Sequence, residues 1–118
     1  MKFEEFNLDA RLITGINDMG FTLPTPIQEQ SIPPALQNKD VLGLAQTGTG
    51  KTAAFMLPIL QRLLKGQTRQ VRALIVAPTR ELAEQIHETA VSLGKHTKIR
   101  SVTVYGGINK KRQVDGLR

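Results

Sequence analysis

Residues 41–65 set a short apolar run, a glycine-rich loop and a helix in immediate succession, and this order constrains the fold more than any other feature. Val41-Leu42-Gly43-Leu44-Ala45 suits a strand buried on both faces. The loop Ala45-Gln46-Thr47-Gly48-Thr49-Gly50-Lys51-Thr52 follows, and a helix is predicted from Lys51 to about Lys65. Gly48 and Gly50 let the backbone curl until successive N–H groups point inward at phosphate oxygens, a concavity that side chains would obstruct. The helix N-terminus beyond adds partial positive charge. Lys51 offers an ammonium for the β- and γ-phosphates of a nucleotide, and the Thr52 hydroxyl suits Mg²⁺. Phosphate loops usually begin with Gly where this chain has Ala45, and Ala serves as long as that position does not require positive φ.

The surrounding chain reads as further short elements. Leu8, Leu12, Ile13, Ile16 and Met19 share a helical face over about 9–19, with Asp9 as N-cap and Gly20 as the left-handed stop. Thr25-Pro26 starts a second helix, which Pro33-Pro34 should break or re-nucleate before Asn38. Pro58 should kink the helix after the loop. Residues 73–77, Ala-Leu-Ile-Val-Ala, form a second predicted buried strand ended by Pro78. Leu82, Ile86, Ala90 and Leu93 mark an amphipathic helix to Gly94. Residues 101–105, Ser-Val-Thr-Val-Tyr, form a third strand closed by Gly106-Gly107, and 109–117 look helical. Strand and helix alternating at this spacing predict an α/β domain with a parallel sheet and flanking helices.

Charge is uneven along the 118 residues, whose formal net charge is +6. Residues 41–80 contain Lys51, Arg62, Lys65, Arg69, Arg72 and Arg80 and no acid; residues 95–118 hold seven Lys or Arg against Asp115. Such tracts attract a polyanion such as nucleic acid, or serve as a solvated face. The run Lys110-Lys111-Arg112 reads better as the latter. Zero Cys removes disulfides and thiolate chemistry and is consistent with a reducing cytoplasm. No apolar run reaches the length of a membrane span, so neither a membrane nor export is expected. His87 and His96 are isolated and lack the spacing of metal ligands.

With the loop in place, further motifs carry a resemblance. Gly20-Phe21-Thr22-Leu23-Pro24-Thr25-Pro26-Ile27-Gln28 resembles the Q motif of DEAD-box RNA helicases, and Phe3 occupies that family's isolated upstream aromatic position. The Ala-for-Gly phosphate loop is characteristic of the same family. Pro78-Thr79-Arg80-Glu81-Leu82-Ala83 resembles its motif Ia, and Tyr105-Gly106-Gly107 its GG motif. Four matches in order span nearly the whole chain, and the bacterial RhlE type is the nearest in character.

The resemblance implies a P-loop NTPase core of the RecA-like kind, truncated inside its first lobe, with a Q-motif helical region over 1–38 and a partial ATP-binding domain over 39–118. It implies ATP and Mg²⁺ as ligands. ATP would be held by Phe21, Gln28, Thr47, Gly48, Thr49, Gly50, Lys51 and Thr52, with Thr52 on the metal. A Gln amide matches the donor and acceptor on the adenine edge and leaves guanine poorly satisfied, and the resemblance puts Phe21 on the adenine face. It implies RNA as partner through Pro78, Thr79, Arg80, Gly106 and Gly107, by backbone contacts that do not read sequence.

Hydrolysis in this family uses an Asp-Glu-Ala-Asp sequence, and after Asp40 the only acids here are Glu81, Glu84, Glu88 and Asp115. No catalytic residue is therefore expected within the chain, which should bind nucleotide without turning it over, although its parent hydrolyses ATP to separate RNA strands. By resemblance the sheet neighbours of the phosphate-loop strand are among the residues missing here, which should expose apolar surface and an unpaired edge. Two other readings stay open from the residues alone: a non-catalytic nucleotide- or RNA-binding module, and a DNA helicase or other P-loop ATPase.

Overall fold

The computed structural model describes residues 1–66 and 70–105. A 3-10 turn, Phe3–Phe6, is followed by four helices: α1 (Ala10–Asp18), α2 (Pro26–Leu36), α3 (Lys51–Leu63) and α4 (Arg80–Leu93). The sequence reading did not anticipate the 3-10 turn. It exists to bury two aromatics, Phe3 and Phe6, whose rings meet edge-on at 6.1 Å between centroids.

Helix α1 begins as its sequence dictates. The Asp9 carboxylate accepts from the Arg11 backbone N–H at 2.9 Å, satisfying one of the orphan amides of the first turn. Arg11 also pairs with that carboxylate through its guanidinium and holds its pKa below the ordinary value. The helix stops where Gly20 takes φ +80°. Helix α4 is capped by Thr79, whose Oγ1 accepts from Leu82 N–H at 3.1 Å.

Both proline-bearing helices run through their prolines. Pro33-Pro34 does not break α2, which runs to Leu36. The amides these prolines lack would have served the carbonyls of Glu29 and Gln30, both exposed residues whose carbonyls can turn to water. The proline carbonyls still accept, from Gln37 N–H at 3.2 and 3.1 Å. Pro58 likewise lies inside a continuous α3, buried against the core.

One hydrophobic cluster joins all four helices. Leu12 and Ile16 from α1, Ile32 from α2, Met56, Leu57 and Leu60 from α3, and Ile86 and Leu93 from α4 pack with Phe3 and Phe6. Each such side chain contributes about 1.5–3 kcal/mol by leaving water. The cluster crosses residue 38 without a seam, α2 packing on α3. Where α1 crosses α4, the backbones nearly touch: a Cβ on Gly15 would fall inside contact distance of the Leu93 carbonyl.

The sheet expected from the sequence is not seen. Among the described residues no strand is formed, and the apolar runs 41–45, 73–77 and 101–105 make no ladder with one another. Nor are they buried: Leu42, Leu44, Leu74 and Val76 are 84–88% exposed. Apolar β-branched composition proposes a strand, but backbone partners on either side make one, because each N–H and C=O needs a counterpart. None of the three runs supplies that counterpart to another. Residues 109–117, predicted helical, lie outside the described residues, as do Gly106, Gly107 and the Lys110-Lys111-Arg112 run.

Candidate functional site

The glycine-rich loop folds as a tight turn over 47–49 that delivers the chain into α3. Gly48 and Gly50 have φ +81° and +85°, left-handed values that side-chain-bearing residues avoid. Ala45 is not among the residues with positive φ, so Ala fits where phosphate loops usually carry Gly. Thr49 Oγ1 donates to the Gln46 carbonyl at 2.6 Å, tying the turn across its own neck. Lys51, first residue of α3, folds its ammonium back to the Ala45 carbonyl at 2.6 Å. That places a positive charge across the mouth of the loop, beside the partial charge of the helix N-terminus. Thr47 and Gly48 are exposed at the tip, Thr52 is half-buried one residue into the helix.

Gln28 sits under this loop. It is 2% exposed on α2, and both ends of its amide are engaged. Its Oε1 accepts from the Thr25 N–H at 3.0 Å, fixing the start of α2, and its Nε2 donates to the Gly50 carbonyl at 3.1 Å. The approach is so close that a Cβ on Gly50 would collide with Nε2. Next to it the Thr25 hydroxyl is sealed from solvent with no hydrogen-bond partner among the described residues. A buried hydroxyl without a partner carries a desolvation cost of order 1–3 kcal/mol. Phe21 is half-buried, its ring against the core; Phe3 is wholly a core residue.

A second group of residues lies at the start of α4. Pro78, Thr79 and Arg80 are exposed. Thr79 spends an acceptor lone pair on the helix cap and keeps its O–H for donation. The Arg80 guanidinium lies 4.8 Å from the centre of the Tyr105 ring. The Tyr105 hydroxyl is bonded to the Glu84 carboxylate, which holds its pKa above the ordinary phenol value, burial adding to this. Residues 78–80 and Tyr105, 25 or more positions apart in sequence, thus converge. No sequence motif announced Glu84; the signal available was its place four residues after Arg80, on the same helical face.

The loop, the helix it opens and the amide beneath it define a class: a P-loop nucleotide-binding protein. The DEAD/DEAH box helicase family matches residues 25–118, and the chain belongs to that family. It is 52% identical over 115 residues to the ATP-dependent rRNA helicase RRP3 of Eremothecium gossypii, an alignment covering 98% of this chain and 24% of that protein. It is 48% identical over 117 residues to the ATP-dependent RNA helicase CshA of Listeria monocytogenes, covering 99% and 22%. The chain therefore spans about a quarter of the length of these relatives. They show the family, and nothing in them singles out the RhlE type.

Among solved structures, a DEAD box protein from Methanococcus jannaschii superposes with a TM-score of 0.92 at 34% identity, over 100% of this chain and 32% of its own. The RNA helicase Prp28 from Chaetomium thermophilum bound to ADP superposes at 0.88 with 40% identity, over 96% and 28%. These neighbours are RecA-like helicase domains. The backbone path is theirs even where the described residues form no sheet ladder.

Proposed function

We propose that this chain is the adenine-reading and phosphate-holding portion of an ATP-dependent RNA helicase, with an RNA-backbone contact at the start of α4. The observation that carries the reading is the Gln28 Nε2 bond to the Gly50 carbonyl, because it joins the residue suited to adenine to the loop suited to phosphates. Gln28 has a second N–H on Nε2 and a second lone pair on Oε1, so it presents a donor and an acceptor to the base while keeping its internal bonds. Phe21 borders the base. The N–H groups of residues 47–52 surround the phosphates, and Lys51 exchanges the Ala45 carbonyl for phosphate oxygens.

Mg²⁺ fits the donor set: it is held by one or two protein oxygens with the remainder from phosphates and water, and Thr52 offers one hydroxyl beside the cradle. When bound, the ion offsets phosphate charge. RNA phosphates are held by the Thr79 hydroxyl, the first N–H groups of α4 and Arg80, with Gly106 and Gly107 adjoining in sequence beyond Tyr105. The division at residue 38 separates base reading from phosphate holding within one core. In the longer protein, runs 41–45, 73–77 and 101–105 serve as parallel strands once their neighbours are present, which also covers Leu42, Leu44, Leu74 and Val76. Lacking the acidic motif, these 118 residues bind without turnover, and the parent couples ATP hydrolysis to RNA strand separation in the cytoplasm.

The test measures ATP and GTP binding to the 118-residue chain by titration, with Lys51→Ala as control, alongside RNA-stimulated phosphate release. ATP binding that exceeds GTP binding, falls with Lys51→Ala and occurs without phosphate release supports the reading. Equal affinity for both nucleotides rejects the role of Gln28, and release above the control rejects the claim of inactivity.

A further inference from the structure

Residues 101–105 lie along one face of α4 in a regular polar register. His87 Nδ1 is 2.8 Å from Ser101 Oγ, Thr103 Oγ1 donates to Glu84 Oε1 at 3.1 Å, and Arg80 stands over Tyr105 at 4.8 Å. The partners on the helix are spaced by three or four residues and those on the segment by two. Three to four helical residues rise about 5 Å, and two extended residues advance about 6.5 Å, so the two periods match in opposite directions. Val102 and Val104 alternate away from the helix and are exposed.

Glu84 is the pivot of this register. Its carboxylate accepts the Thr103 hydroxyl at 3.1 Å and, as the raised Tyr105 pKa reflects, the Tyr105 hydroxyl beside it. These contacts hold the Tyr105 hydroxyl, and with it the position of the ring beside Arg80. A guanidinium against that ring is steadied through its face, whereas its N–H donors radiate in its own plane, the geometry that grips phosphate oxygens.

We propose that Glu84 is a positioning residue for nucleic-acid binding: by anchoring Tyr105 and Thr103 it holds the Arg80 guanidinium beside Thr79, in place to take an RNA phosphate. The inference rests on the reading that Arg80 contacts RNA, and it assigns to an acidic residue a favourable effect on binding a polyanion. Long-range charge alone gives the opposite sign, because removing Glu84 makes the chain more basic.

The experiment follows a labelled single-stranded oligouridylate by fluorescence anisotropy, over about 50–200 mM salt, against the 118-residue chain and its variants. Arg80→Ala is expected to weaken binding and to reduce the salt slope by about 0.7, one phosphate of a single strand. Glu84→Ala is expected to weaken binding about two- to fivefold, the worth of one exposed cation–ring contact. Glu84→Gln, which keeps the acceptor oxygen, should restore it, and Arg80→Ala with Glu84→Ala should bind like Arg80→Ala alone. Tyr105→Phe, which keeps the ring and loses the anchor, should follow Glu84→Ala and decides the matter if that variant does not fold. The inference is overturned if Glu84→Ala binds RNA as well as or better than the parent chain, if its effect adds in full to that of Arg80→Ala, or if Glu84→Gln fails to restore binding. If Arg80→Ala itself changes nothing, the RNA reading of Arg80 fails first and this inference with it.

Discussion

Gln28 and Gly50 are bonded across 22 positions of sequence, side-chain amide to backbone carbonyl at 3.1 Å, with no room between them for a Cβ. The residue that suits adenine is therefore also a structural support of the loop that suits phosphate, and the two functions do not separate cleanly under mutation.

Gln28→Ala should weaken ATP binding by more than GTP binding, yet should cost GTP some affinity as well, because the loop loses a buried hydrogen bond worth about 0.5–1.5 kcal/mol. Isothermal titration with both nucleotides checks this. GTP affinity wholly untouched would show that the bond to Gly50 carries no weight in the loop.

Gly50→Ala combines a left-handed φ of +85° with a collision against the Gln28 amide. Such overpacking typically costs about 1–3 kcal/mol, and the φ strain adds to it. Nucleotide binding should be lost and the melting temperature lowered. Gly48→Ala, with φ +81° and open space around it, should be milder. Equal thermal shifts for the two would contradict the collision.

Gly15→Ala lies far from the loop in sequence and tests packing alone. The new methyl would force α1 off the Leu93 carbonyl of α4, and a loss of about 1–3 kcal/mol is expected in denaturant unfolding. An unchanged midpoint would mean that the two helices are not held at that separation.

His96 Nε2 meets Asp18 Oδ2 at 2.6 Å, tying the turn after α4 to the end of α1. The contact holds the Asp18 carboxyl below its ordinary 3.8, with the His96 hydrogen bond the largest cause. A carboxylate whose folded pKa is depressed stabilises the fold above its unfolded value and loses that contribution as pH falls through the folded one. Both side chains are exposed, so the effect is small. In His96→Ala, the Asp18 titration followed by NMR should move up toward the ordinary value, and an unmoved midpoint would exclude the pair.

Much of the site was legible in the sequence because its requirements are local. Left-handed glycines at 48 and 50, Lys51 at the first turn of α3, Asp9 and Thr79 as caps and Gly20 as a stop each follow from a few adjacent residues and the geometry they allow. Tolerance of Ala45 could be reasoned in advance as a condition on φ, which the loop meets. Pro33-Pro34, expected to break or re-nucleate α2, does neither, because proline's penalty depends on whether the orphaned carbonyls reach solvent, which is not written in the adjacent residues.

What the chain could not state by itself is anything that needs two distant segments to meet. Gln28 beneath Gly50, Gly15 against Leu93 and Glu84 between Thr103 and Tyr105 depend on how helices cross and how a segment lies along one of them. The apolar runs at 41–45, 73–77 and 101–105 make the same point in reverse. Their composition settles what they prefer, but a strand is a property of at least two backbones, and hydrogen bonding between them is decided only by which segments the tertiary fold brings side by side.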